Sequence, residues 1–150
     1  MNTQLTKAAE RNSLPANPGL LSLSQMASVT FLGILFWFAG AMIVRIGTPL
    51  NFFGQEPGLL SFLAAIPLSW VSVLLIAQLA KLRNPQLVPG VSMGLAAATF
   101  FDGIAITWLP WIYGADHSEI GLGAAWILWG AFTFLGAAFV ETYRRSVKRK

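Results

Sequence analysis

Residues 58–80 read GLLSFLAAIPLSWVSVLLIAQLA, a run without one charged side chain. A helix at a water-facing surface needs a polar face, and this run has none. The hydrocarbon core of a bilayer is about 30 Å thick, and about 20 mostly apolar residues cross it as a helix. The run is therefore long enough to span a membrane. Working outward, 26–44 (MASVTFLGILFWFAGAMIV) and 120–140 (IGLGAAWILWGAFTFLGAAFV) are also uncharged. The remaining run, 88–109 (VPGVSMGLAAATFFDGIAITWL), carries a single charge, Asp102. These four runs take more than half the chain and leave nothing for a separate soluble domain.

Composition excludes the alternatives. Of 150 residues, 55% are hydrophobic and 11% are charged, whereas a soluble domain carries about 25% charged residues. A disordered chain needs the opposite balance. The absence of cysteine excludes a disulfide-stapled module and a thiolate metal site.

The punctuation between the runs agrees. Thr48-Pro49 and Glu56-Pro57 frame the first connection, and Asn84-Pro85 breaks the second. Pro89 suits a first helical turn, where its missing N–H is no loss. Trp108-Leu109-Pro110-Trp111 closes the third run, and Asp116 with Glu119 has the form of a capping box before the fourth. Short connections favour antiparallel neighbours. The expected fold is an all-α membrane protein with four transmembrane helices in an up-down antiparallel bundle. Residues 1–24 form a turn-rich cytoplasmic tail, 25–143 the transmembrane domain and 144–150 a basic tail. The tail before the first run is long for a signal peptide and the run itself is long enough to span, so it is read as an uncleaved helix.

Cations set the orientation. With four spans, one side of the membrane carries Lys7, Arg11, Lys81, Arg83, Arg144, Arg145, Lys148, Arg149 and Lys150, and the other carries Arg45 alone. The positive-inside rule then puts both termini in the cytoplasm. The cluster Arg144, Arg145, Lys148, Arg149 and Lys150 follows a span directly. It reads as a topological stop that meets anionic lipid headgroups. It is too short to fold as a nucleic-acid-binding module, so the bilayer is the partner and nucleic acid is not.

Asp102 is the sharpest feature. An ionisable group at a span's centre costs at least about 2.5–3.5 kcal/mol, so it faces protein or a water cavity. Gly90, Gly94, Ala98 and Asp102 follow at four-residue steps, a small-residue stripe that turns the carboxylate into the bundle. At 1.5 Å per residue, Asp102 lies roughly 20 Å along a span that runs outward. Arg45, at the outer end of the first span, is the one cation near that depth. An Arg45–Asp102 pair is expected, serving either as a structural clamp or as part of a proton or cation transport site.

Weaker signals concern packing. Gly33, Gly40 and Gly47 recur every seven residues, as do Gly123, Gly130 and Ala137. Such stripes permit close helix approach. Whether they pack within one chain, in a homo-oligomer or in a larger membrane complex stays open. Pro67 removes a backbone donor in mid-span, so a kink is expected there, with Ser69 and Ser72 placed to re-satisfy the backbone. Trp108, Trp111 and Tyr113 suit the outer interfacial belt and Tyr143 the inner one. Trp37, Trp126 and Trp129 sit deeper, where their indole N–H groups need acceptors. Asp116, His117 and Glu119 are weak as metal ligands, since capping explains the acids. No catalytic motif is present and His117 is the single histidine, so no enzyme activity, cofactor or metal is expected.

The sequence of a first span ending Ala41-Met42-Ile43-Val44-Arg45, a second with Ala65-Ile66-Pro67-Leu68, a third with Phe101-Asp102-Gly103 and a fourth opening Gly123-Ala124-Ala125-Trp126-Ile127-Leu128-Trp129-Gly130 resembles a bacterial family. It is similar to the small four-helix membrane proteins grouped as domain of unknown function 5367, over about residues 28–143. The resemblance implies four spans and a bacterial inner membrane, and no activity. The expected role is a structural, accessory or regulatory membrane subunit. The alternative is a small-solute or proton-coupled ion transporter using Asp102.

Overall fold

The computed structural model describes residues 17, 19–114 and 117–148. Four helices dominate it: α1 (Leu23–Gly47), α2 (Gln55–Leu79), α3 (Leu87–Trp108) and α4 (His117–Val147). Single 3-10 turns, Asn84–Gln86 and Pro110–Ile112, lie just before and just after α3. No strand occurs among the described residues. All four helices are long and apolar enough to cross a membrane. Lys7, Arg11, Asp116, Arg149 and Lys150 lie outside the described residues.

The ends of the helices follow from local chemistry. Ser22 caps α1 by accepting from the Gln25 amide, and the Gln25 side chain returns to the Ser22 N–H. After α2, the Lys81 backbone turns left-handed (φ 51°). Leu82 N then reaches Ala77 O at 2.8 Å and Lys81 N reaches Gln78 O, a Schellman closure built without glycine. α2 is continuous through Pro67. Ser69 does not serve the backbone near Pro67 as expected; its hydroxyl pairs with Thr133 of α4 at 2.7 Å. α4 has 31 residues, or roughly 46 Å at 1.5 Å per residue. That exceeds the hydrocarbon thickness by about 16 Å. Arg144 and Arg145 are thus the last turns of a helix, where cations meet its negative dipole end, rather than the start of a separate tail.

Packing is uneven. α1 lies closest to α3 and α2 to α4; α3 also meets α4, while α1 and α2 barely touch. Small residues set the close approaches. A Cβ on Gly33 would fall 2.2 Å from the Gly94 carbonyl oxygen, so α1 and α3 meet backbone to backbone there. A Cβ on Gly123 would meet Val44 Cγ1 at 2.3 Å. Gly90 receives Leu82. Gly40 and Gly130, by contrast, have nothing within 4 Å of a Cβ; they border open space, not a helix. Each heptad stripe therefore packs at both ends, Gly33 and Gly47 or Gly123 and Ala137, and gapes at its middle glycine.

Buried side chains form two clusters. One gathers Val29, Val73, Ile76, Leu87, Val91 and Ala138. The other gathers Ala41, Val44, Phe53, Ala65, Ala105, Tyr113 and Trp126. Outside them, Phe31, Phe38, Leu59, Leu60, Leu128, Phe132 and Phe139 are all exposed. Large side chains turned outward all round a bundle fit a hydrocarbon solvent, not water.

Candidate functional site

Asp102 sits on α3, half-buried, between these clusters. Its partner is not Arg45. Among the described residues no ion pair joins the two. The Tyr113 hydroxyl donates to Asp102 Oδ1 at 2.5 Å, and Trp37 Nε1 on α1 donates to the Tyr113 oxygen at 3.0 Å. The indole N–H, the phenol and the carboxylate thus form one chain of hydrogen bonds across α1 and both sides of the turn that follows α3.

The turn explains how Tyr113 gets there. Pro110 starts a 3-10 turn directly after α3, and Tyr113 N closes it on the Pro110 carbonyl. The chain folds back over the end of the bundle, and Tyr113 is 1% exposed. Its expected place in an interfacial belt is therefore wrong, whereas Trp108 and Trp111 are exposed as that belt requires. Burial pushes the Tyr113 phenol above the ordinary phenol range, and its bond to Asp102 adds to the shift. Arg45 is exposed and its guanidinium donates to the Trp111 carbonyl in the same turn. Depth along the helix brought Arg45 level with Asp102; the intervening turn supplied a nearer acceptor to Arg45 and a nearer donor to Asp102.

The other deep tryptophans also find acceptors, on α2. Trp126 Nε1 donates to the Ser61 carbonyl and Trp129 Nε1 to the Phe62 carbonyl. These carbonyls lie immediately before Leu63, whose own carbonyl loses its helical donor at Pro67. The indoles thus dock on the turn of α2 that leads into Pro67.

A cavity of about 230 Å³ separates the two buried clusters. Gly40 and Gly130 border it, with Ala98 and Asp102 of α3, Ser69 and Ser72 of α2, and the rings of Phe36, Trp37, Trp126 and Phe134. Among the described residues, Asp102 is the one ionisable side chain in its lining. Ala39, Ile43 and Leu68 line it too and are exposed on the outside of the bundle. The gap between α1 and α2 therefore opens it toward the surroundings. The predicted small-residue stripe on α3 divides accordingly: Gly90 and Gly94 pack, and Ala98 and Asp102 look into the cavity.

The opposite end holds two groups that the sequence hid. Gln25 of α1 and Gln86 exchange side-chain amide hydrogen bonds at 3.1 and 3.2 Å, with Gln25 also donating to the Lys81 carbonyl and Gln86 to the Leu20 carbonyl. Nearby, Glu141 of α4 is 2% exposed. Arg145 Nε lies 2.8 Å from one of its oxygens and Arg144 Nε 2.9 Å from the other, while Arg144 covers the Trp70 ring. Two of the five cations assigned to lipid headgroups are thus engaged by protein. Lys148 stays exposed.

No protein-family model matches the chain, and no similar curated protein or solved structure was found.

Proposed function

We propose that this is a multi-pass membrane protein, with helices alternating in direction and both termini in the cytoplasm, that binds and conducts a small, largely apolar solute through the cavity beside Asp102. The asymmetry of lysine and arginine supports the orientation. One observation carries the solute: a cavity of about 230 Å³ reaches a carboxylate that, among the described residues, forms no ion pair. A bacterial inner membrane is the setting that the family resemblance suggests. The reading is non-enzymatic, since the polar groups at the cavity are one carboxylate and a few hydroxyls, without a base beside a nucleophile.

A second reading keeps the chain as an accessory subunit of a larger membrane complex. The Tyr113–Asp102 bond favours it, because a carboxylate satisfied by protein can serve register alone.

Ligand occupancy separates the two. The test is titration of the purified protein in micelles with benzyl alcohol, read from tryptophan fluorescence, since Trp37 and Trp126 line the cavity. Saturable binding is expected for the parent chain and its loss in Gly130→Leu, which fills the void without a clash at Cβ. Absence of saturable binding, or binding unchanged in Gly130→Leu, overturns the solute reading.

A further inference from the structure

The lining of the cavity is chemically one-sided. Among the described residues its single ionisable group is an acid, and Arg45, the cation nearest in chain depth, is turned to the Trp111 carbonyl. Trp37, Phe36, Trp126 and Phe134 supply ring surface around the same void. Aromatic rings attract cations through their negative faces, more strongly where water is excluded. A carboxylate and several rings together reject anions and favour a positively charged ligand.

Size limits that ligand. An apolar cavity of about 150 Å³ takes up benzene. At about 230 Å³, the space suits one ring, or its aliphatic equivalent, plus a compact head. Of the three hydroxyls at the wall, Ser69 is bonded to Thr133 and Thr99 to the Leu95 carbonyl of its own helix. The approach is lateral: Ile43 and Leu68, both exposed, stand at the rim where α1 and α2 barely touch. A ligand with an apolar body and a charged head concentrates at the bilayer interface and reaches such a rim from the membrane.

We propose that the cavity takes a small lipophilic ammonium, its apolar body against Trp37, Phe36, Trp126 and Phe134 and its cationic head against Asp102. The assignment rests on the solute reading above and names its substrate class. No bond is made or broken. The ligand's charge offsets the charge that Asp102 holds inside the bundle, and the Tyr113 hydroxyl fixes the carboxylate from the other side. A ligand matched to this site needs no phosphate or carboxylate of its own.

The experiment compares two probes of similar size on the same protein in micelles, benzyltrimethylammonium and benzyl alcohol, by tryptophan fluorescence. The parent should bind the ammonium about tenfold or more tighter than the alcohol. Asp102→Asn should remove that preference while keeping alcohol binding, which also reports that the variant is folded. Asp102→Glu should keep the preference, and Gly130→Leu should abolish binding of both probes. Equal affinities in the parent overturn the ammonium assignment and leave the solute cavity standing. The parent comparison stands even if Asp102→Asn does not fold. If neither probe saturates the parent, the cavity reading fails together with the assignment.

Discussion

The Tyr113 hydroxyl reaches back across eleven residues to Asp102 at 2.5 Å. That bond joins the turn after α3 to the interior of the bundle. Tyr113→Phe removes the donor to the carboxylate and the acceptor for Trp37 Nε1 at once. A hydrogen bond to a charged group contributes about 1.5–3 kcal/mol, so a loss of that order is expected. Reversible unfolding in mixed micelles measures it. An unchanged midpoint would show that the bond contributes nothing.

Tyr113 should also be visible by its ionisation. The chain has two tyrosines, so Tyr143→Phe leaves Tyr113 as the only phenol. Its pKa is raised in the folded protein, so the folded state holds the proton more tightly than the unfolded one. The stabilisation is complete below the free phenol's pKa of about 10 and is lost as pH rises above it. Ultraviolet difference spectra should show no tyrosinate in the ordinary range, with unfolding setting in at higher pH. Ionisation near pH 10 in the folded state would contradict the buried contact.

Two glycines of one stripe should behave oppositely. Gly33→Ala would put a Cβ against the Gly94 carbonyl oxygen, which backbone cannot yield without separating α1 from α3. Overpacking of this kind costs about 1–3 kcal/mol or more. Gly40→Ala meets nothing and should leave stability equal or slightly higher, since alanine is the better helix former. Comparing their thermal midpoints in micelles tests the packing; similar losses in both variants would refute it.

Charge exchange gives a further contrast. If Arg45 and Asp102 were a pair, Arg45→Asp with Asp102→Arg would restore what the single reversals lose. The structure bonds each to a different partner, so the double exchange should yield no more folded protein than Asp102→Arg alone. Recovery of yield in the exchanged protein would reinstate the pair.

The proposed orientation is open to labelling, because the chain lacks cysteine. With both termini in the cytoplasm, Leu50→Cys should react with an impermeant maleimide applied outside intact cells. Lys148→Cys should react only after permeabilisation. The reverse pattern would invert the topology.

The four helices were legible because a hydrocarbon solvent demands long uninterrupted apolar runs, and few other structures do. That Gly33 and Gly94 serve close packing was legible for a related reason, since only small residues at helical spacing allow backbones so close; that they meet each other within one chain was not. The partner of Asp102 was not legible. Depth counted in residues assumes that chain beyond a helix moves away from it, and the turn at Pro110 instead returns Tyr113 to the bundle. The cue was a proline directly after the span with a phenol three residues on. Gln25 and Gln86 went unnoticed because uncharged polar residues at span ends look like ordinary boundaries. Glu141 lies just past the expected end of the fourth span, where a carboxylate is unremarked until its burial is known. The cavity depends on which glycines of a stripe lack a neighbour, and spacing alone treats them all alike.

Neither glutamine of the Gln25–Gln86 clasp carries a charge, so an electric field across the membrane does no work on it. Asp102 lies within a span and is subject to that field. A full charge moved across 100 mV exchanges about 2.3 kcal/mol, comparable with a single buried hydrogen bond. A membrane voltage therefore acts on a charge at Asp102 and, through the Tyr113 hydroxyl, on the turn after α3, whereas the amide clasp itself offers it no charge to act on.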